Sequence, residues 1–160
     1  MVIIGVGGNK FNMTAISHAL IGAAIAAKTG DPLAAGVIAF FTHFACDLIP
    51  HWDLGTNWRL RPRVITGVLA IGETLFALVG VYLIFFRLVP SAYVLAVAIT
   101  FSLAPDWLEV PYYLTLPHSP KLFQQIYKLE SYAHAKLDWP WGAVTQVAVV
   151  AAFLIWGFLL

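Results

Sequence analysis

Long apolar stretches separated by short polar turns dominate the pattern of this chain. The apolar runs cover residues 14–27, 33–49, 64–86, 92–108 and 141–160. A helix that crosses a membrane needs about 20 residues, with a range of about 17–25. The first run is short, so it predicts either a tilted helix or one that enters the membrane only partway. Before the last run, residues 121–137 carry apolar side chains on one helical stripe, which predicts an amphipathic helix on the membrane surface or across the end of the bundle.

This pattern predicts an all-α fold, namely a polytopic membrane helical bundle with about five transmembrane helices plus one amphipathic interfacial helix. Composition agrees, because 61% of the residues are hydrophobic and 11% are charged. Soluble domains are about 45–50% apolar and about 25% charged. We expect residues 1–13 to be a disordered leader and residues 14–160 to form a single membrane-embedded domain.

The charge distribution predicts an orientation and gives no reason to expect a nucleic-acid partner. The net charge is only +1, and no basic face stands out. With five spans, seven of the Lys and Arg residues fall on the side of the N-terminus, and Lys28 and Arg87 fall on the other. Cytoplasmic loops carry an excess of Lys and Arg. This predicts that the N-terminus lies in the cytoplasm; the membrane that we expect is a bacterial or archaeal cytoplasmic membrane.

Acidic and histidine side chains collect near one end of the predicted bundle. The depth of each residue can be counted along its helix from the nearer outer turn, near residue 30 or residue 89. Seven of these residues lie within about one helical turn of a common layer, which is roughly 25 Å from the outer turns. These seven are His18, His43, Asp47, His51, Glu73, Asp106 and Glu109. The spacing i, i+4, i+8 also places three of them on one face of the second helix, if that helix continues as far as His51.

Carboxylates at such a depth need a neutralising partner. A charged side chain deep in a bilayer costs at least about 2.5–3.5 kcal/mol, and no Lys or Arg stands at that depth in the predicted spans. Protonation, water or a divalent cation can supply the compensation. Imidazole together with carboxylate suits Zn²⁺, and Mn²⁺, Fe²⁺ and Mg²⁺ are the alternatives. The candidate metal ligands are His18, His43, Asp47, His51, Asp53, Asp106 and, if the amphipathic helix folds over the pocket, His134.

Two segments resemble a known group of proteins. SHALIG (17–22) and THFACDLIPHWD (42–53) are similar to small bacterial membrane proteins grouped with predicted membrane-bound metal-dependent hydrolases, with a more distant likeness to zinc-dependent phospholipase C. The resemblance covers residues 14–53, and APDW (104–107) is a weaker match to the same group. It implies a metal-dependent hydrolase with motif residues His18, His43, Asp47, His51 and Asp53, and Asp106 as a further ligand. The group's usual Pro-Asp-x-Asp-His element and its later His-Arg-Gly…Thr-His-Ser element are absent, which leaves a degenerate or differently specialised site open.

The expected activity is hydrolysis at the cytoplasmic end of the bundle, with a lipid-like phosphate ester as the substrate and the membrane lipid as the partner. A metal-bound water would attack, and Glu73 or Glu109 would take its proton. Three arginines, Arg59, Arg61 and Arg63, are candidates to hold the substrate headgroup. Two alternatives stay open: a carrier of metal ions or protons, and a non-catalytic membrane scaffold with a structural metal site.

Overall fold

The computed structural model describes residues 13–52, 62–115, 118–133, 137 and 139–160. These residues form six α-helices: α1 (Ala15–Thr29), α2 (Pro32–Asp47), α3 (Arg63–Phe85), α4 (Ala92–Thr115), α5 (Lys121–Ala133) and α6 (Trp141–Phe158). The all-α prediction is confirmed. Residues 1–12 of the predicted leader lie outside the described residues, and Met13, its last residue, is buried.

Helices α1 and α2 form a tight hairpin whose turn residues are set by local chemistry. Gly30 adopts φ 63°, a left-handed conformation that only glycine enters without strain, and it ends α1. Asp31 then caps α2, because its side chain accepts a hydrogen bond of 2.7 Å from the Ala34 amide. Pro32 occupies the first turn of α2, where a missing N–H costs nothing.

Helix α1 lies at the centre of the bundle and contacts α2, α3, α4 and α6. Its small residues allow close approach of the neighbouring backbones. A Cβ on Gly22 would stand 3.0 Å from the Ala98 carbonyl oxygen of α4, and one on Gly157 would stand 2.7 Å from the Ala24 Cα. The apolar character of α1 therefore serves packing against protein on several sides.

Within the described residues, three helices are long and apolar enough to cross a membrane: Val64–Phe85, Ala92–Tyr113 and Trp141–Phe158. Three is fewer than the five predicted from the sequence. Helices α1 and α2 fall short, because 15 and 16 residues reach only about 22–24 Å against a hydrocarbon core of about 30 Å. The apolar run of α1 reflects burial inside the bundle, whereas α2 leaves large apolar side chains such as Leu33 and Phe41 exposed.

Two helix ends differ from the sequence prediction. Helix α4 continues to Thr115 through Pro105 and Pro111, although the apolar run ends at residue 108. Proline is tolerated in a helix of this kind when neighbouring groups satisfy the freed carbonyls. Helix α2 ends at Asp47, so His51 lies beyond it and is not on a continued helical face.

Candidate metal centre

Two histidines and one aspartate meet at the end of the bundle opposite the α1–α2 turn. His18 comes from the first turns of α1, and His43 and Asp47 come from the last turn of α2. The Nε2 atom of His18 lies 3.2 Å from Asp47 Oδ1, and the Nε2 atom of His43 lies 3.2 Å from Asp47 Oδ2. The two imidazole rings stack at 3.9 Å between centroids. All three side chains are buried, so one carboxylate is shared by two imidazoles away from water.

Two further groups border this trio from other elements. His51, in the segment after α2, places its Nε2 3.9 Å from Asp47 Oδ1. Asp106 of α4 places its Oδ1 3.6 Å from His43 Nε2, and its side chain is 24% exposed. The centre is thus built from α1, α2, α4 and the segment after α2, with Asp106 as its more accessible member.

Backbone carbonyls fix the protonation pattern of two of the rings. His43 Nδ1 lies 2.7 Å from the Ser102 carbonyl oxygen, and His51 Nδ1 lies 2.6 Å from the Ile49 carbonyl oxygen. A carbonyl oxygen only accepts, so Nδ1 is the donor in both rings. In the neutral ring, Nε2 then carries the lone pair and points at a carboxylate. Such an arrangement requires either a proton shared between the nitrogen and the carboxyl group or a metal ion between them.

The interatomic distances fit a metal ion. Zinc binds imidazole nitrogen and carboxylate oxygen at about 2.0–2.2 Å, so neighbouring ligand atoms of a tetrahedral site are separated by about 3.3 Å. The separations of 3.2, 3.2 and 3.6 Å around Asp47 and His43 are near that value, and the two contacts of 3.2 Å end on different oxygens of Asp47. Ligand atoms of His18, His43 and Asp47 all lie within 4.8 Å of one another. Donation of Nδ1 to a carbonyl is also the usual outer-shell contact of metal-binding histidines.

The start of α1 contributes backbone donors to the same end of the bundle. The Met13 amide lies 3.4 Å from Asp47 Oδ1, and the Ala15 amide donates to Glu73 Oε1 at 2.9 Å. The first amides of a helix have no intrahelical partner and carry partial positive charge, so the Glu73 carboxylate is stabilised by the Ala15 amide, whereas Met13 lies just before the helix. Glu73 therefore has a structural role at the start of α1, and its role as the catalytic base stays a prediction.

Two more acids lie beside the centre, and sequence reasoning proposed only one of them. Glu109 is buried in α4 and accepts a hydrogen bond of 2.6 Å from the Tyr113 hydroxyl. Glu130 of α5 is also buried. Burial raises the pKa of Glu130 to about 8; the negative charges of Asp106 and Glu109 add to that shift, and His43 opposes it.

The position of Glu130 follows from the orientation of α5. Leu122 and Leu129 of the predicted apolar stripe are exposed, and Lys128 on the polar side is exposed as well. Glu130 lies on the side that also carries the half-buried Tyr127, whose ring stacks on a tyrosine of α4. The inward face of α5 therefore follows neither the apolar stripe nor the polar side, and no signal in the sequence identifies Glu130 as buried.

The remaining candidates lie outside the described part of the chain. This applies to Asp53, His134, Arg59 and Arg61. Arg63 begins α3, but its side chain is not described. Their proposed roles stay predictions.

Comparison of the chain with family models, curated proteins and solved structures finds no match. The resemblance to membrane-bound metal-dependent hydrolases is therefore an expectation from short motifs, and the chemistry of this protein has to be argued from its own residues.

Proposed function

We propose that this membrane protein binds one divalent metal ion, with zinc as the first candidate, at the centre formed by His18, His43 and Asp47. The observation that carries the proposal is the convergence of imidazole Nε2 atoms on the shared Asp47 carboxylate, with Nδ1 of His43 held by a carbonyl. His51 and Asp106 border the centre and are the further ligand candidates. The metal would replace the protons that this arrangement otherwise requires.

We further propose that the centre hydrolyses a phosphate ester of a membrane lipid. A bound divalent ion lowers the pKa of a coordinated water from 15.7 to about 7, which supplies a nucleophile at neutral pH. Asp106 is suited to orient that water or to accept its proton, because its carboxylate is near His43 and partly exposed. A lipid substrate is favoured because the protein has three candidate membrane-crossing helices and ester groups of lipids lie at the membrane interface.

Two measurements test the proposal separately. The first is the metal content of gently purified protein and its uptake of Zn²⁺, Mn²⁺ and Fe²⁺ by titration. The second is phosphate release from a panel of phospholipids and isoprenoid phosphates. Asp47→Asn should weaken metal binding by about 100-fold or more, since it removes the charge of the shared carboxylate. His118→Gln is the matched histidine control, because His118 is exposed and should leave metal content unchanged.

The pattern of results distinguishes the alternatives. Metal binding together with phosphate release supports a hydrolase. Metal binding without release from any substrate supports a scaffold with a structural metal, and metal flux into vesicles supports a carrier. Wild-type protein that carries no divalent metal and takes up none on titration would refute the metal centre itself.

A further inference from the structure

A groove of about 450 Å³ runs along the outer side of the bundle between α1 and α6. Its walls are mainly apolar, from Leu20 on α1 to Val150 and Leu154 on α6. From Gln146 to Leu154 it follows α6 for roughly 12 Å. Helix α6 is one of the candidate membrane-crossing helices, so this groove faces the hydrocarbon of the membrane.

One end of the groove is polar. Gln146 lines it together with Thr14 and Ser17. The Gln146 amide nitrogen donates to Ser17 Oγ at 2.5 Å and also to Thr14 Oγ1. Gln146 is only 8% exposed, and its Oε1 has no hydrogen-bond partner among the described residues. A buried amide oxygen without a donor is costly in an apolar setting, which indicates that a ligand group completes the site.

The chemistry of that group can be specified. With the amide as described, Oε1 requires a donor. If the amide is rotated so that its oxygen accepts from the two hydroxyls, the NH₂ group requires an acceptor. A hydroxyl group serves in either case, because it both donates and accepts.

The polar end of the groove lies beside the candidate metal centre. Ser17 directly precedes His18, and Trp52 of the groove directly follows His51. The first turn of α6 is held tightly against this segment, since a Cβ on Gly142 would stand 2.7 Å from the Trp52 amide nitrogen. A molecule in the groove therefore has its polar end near the metal centre and its apolar end along α6.

Two tryptophans mark the level of that polar end. Trp52 and Trp139 both line the groove, and their rings meet edge to face with centroids 5.9 Å apart. Tryptophan is enriched where the hydrocarbon of a membrane meets the headgroups. This level is where a lipid changes from polar to apolar, and the groove changes character at the same place.

We propose that the groove binds one hydrocarbon chain of a membrane lipid whose interfacial hydroxyl contacts Gln146. The binding site stands on the groove and on Gln146. Its assignment as the substrate site rests on the proposed function. A hydroxyl-bearing single-chain lipid, such as a monoacylglycerol or its phosphate ester, is the class that the groove fits.

The test uses the full chain in phosphatidylcholine nanodiscs and a monoacylglycerol with a photoreactive diazirine in its chain. Cross-links should map to the lining of α1 and α6. Ala151→Leu should reduce labelling at least about fivefold, because Ala151 lines the groove and the larger side chain fills it. Ala152→Leu, the same change at the next exposed position, should leave labelling unchanged. Gln146→Leu should remove most of the preference for the hydroxyl-bearing probe over its deoxy analogue, which neither donates nor accepts at that position, about fivefold for one hydrogen bond.

Three results would overturn the proposal: equal labelling in the two alanine variants, labelling spread over the exposed faces of α3, and protein–protein cross-links through the groove that show a second copy to be its occupant. Asp47→Asn separates this proposal from the proposed function, because it should lose metal and keep the groove labelling. Loss of specific labelling with metal and phosphate release intact would count against the groove alone. Intact labelling without metal or phosphate release would count against the hydrolase alone.

Discussion

Replacement of Asp47 by asparagine tests whether the buried centre holds a metal or only protons. Asp47 contacts the Nε2 atoms of both His18 and His43, at 3.2 Å each. Asparagine keeps the shape of the side chain, but it removes the negative charge and presents an amide in its place. Loss even of an outer-shell partner weakens metal binding by about 10–100-fold, so loss of this ligand should weaken it by about 100-fold or more.

That loss translates into a thermal shift. At a metal concentration 100 times Kd, binding to the native state alone contributes about 2.7 kcal/mol. For a chain of 160 residues, 1 kcal/mol corresponds to about 2–4 °C in Tm. Wild-type protein should therefore gain about 5–11 °C on addition of metal and lose it again with a chelator. With affinity reduced 100-fold, the same metal concentration contributes only about 0.4 kcal/mol, or about 1 °C.

The assay is thermal unfolding in detergent with Zn²⁺, with Mn²⁺ and with chelator. Asp31→Asn is the matched control, because Asp31 is an exposed cap at the other end of α2. It should leave Tm nearly unchanged, because asparagine caps a helix about as well as aspartate, and it should retain the full metal response. An Asp47→Asn protein that responds to metal as strongly as wild type would refute the ligand assignment. A wild type without any response would show that protons fill the centre.

Three further predictions concern other parts of the structure. Between about pH 5 and pH 8 wild-type stability should fall as pH rises, because Glu130, with its pKa raised to about 8, keeps its proton in the native state after the unfolded chain has lost it. Glu130→Gln should flatten this dependence in thermal unfolding, and an unchanged slope would contradict the prediction. Gly157→Val should lower Tm and loosen α1 from α6, whereas Gly67→Val should not, because a Cβ on Gly67 meets nothing within 4 Å. Equal Tm values for the two variants would contradict the close packing of α1 against α6. Glu73→Gln should keep the cap on α1 and lower the free energy of unfolding less than Glu73→Leu, which leaves the Ala15 amide unpaired at about 1–3 kcal/mol. Equal unfolding free energies for the two variants would count against the capping role.

Much of the candidate centre could be anticipated from the sequence because ionisable residues are rare in an apolar chain. The i, i+4 spacing of His43 and Asp47 places both on one face of a helix, and helical rise fixes their distance from the turn at Gly30. The structure brings His18 and Asp106 to the same place from α1 and α4. Depth along antiparallel helices is a local quantity, so counting residues was sufficient to predict it.

The number of membrane crossings and the inner neighbours of the centre depended on tertiary structure. Hydropathy does not distinguish a helix buried in protein from one in lipid, so the apolar run of α1 indicated a span where the fold uses a short central helix. Likewise, the burial of Glu130 against the bundle is decided by how α5 is rotated and by what it packs against, which no periodicity specifies. The sequence by itself determined the helical class, the turn at Gly30 and the level of the polar groups, because these follow from local geometry. Only the packed structure decided which carboxylates meet which imidazoles, and that a groove beside them leads to the membrane, because such contacts join residues distant in the chain.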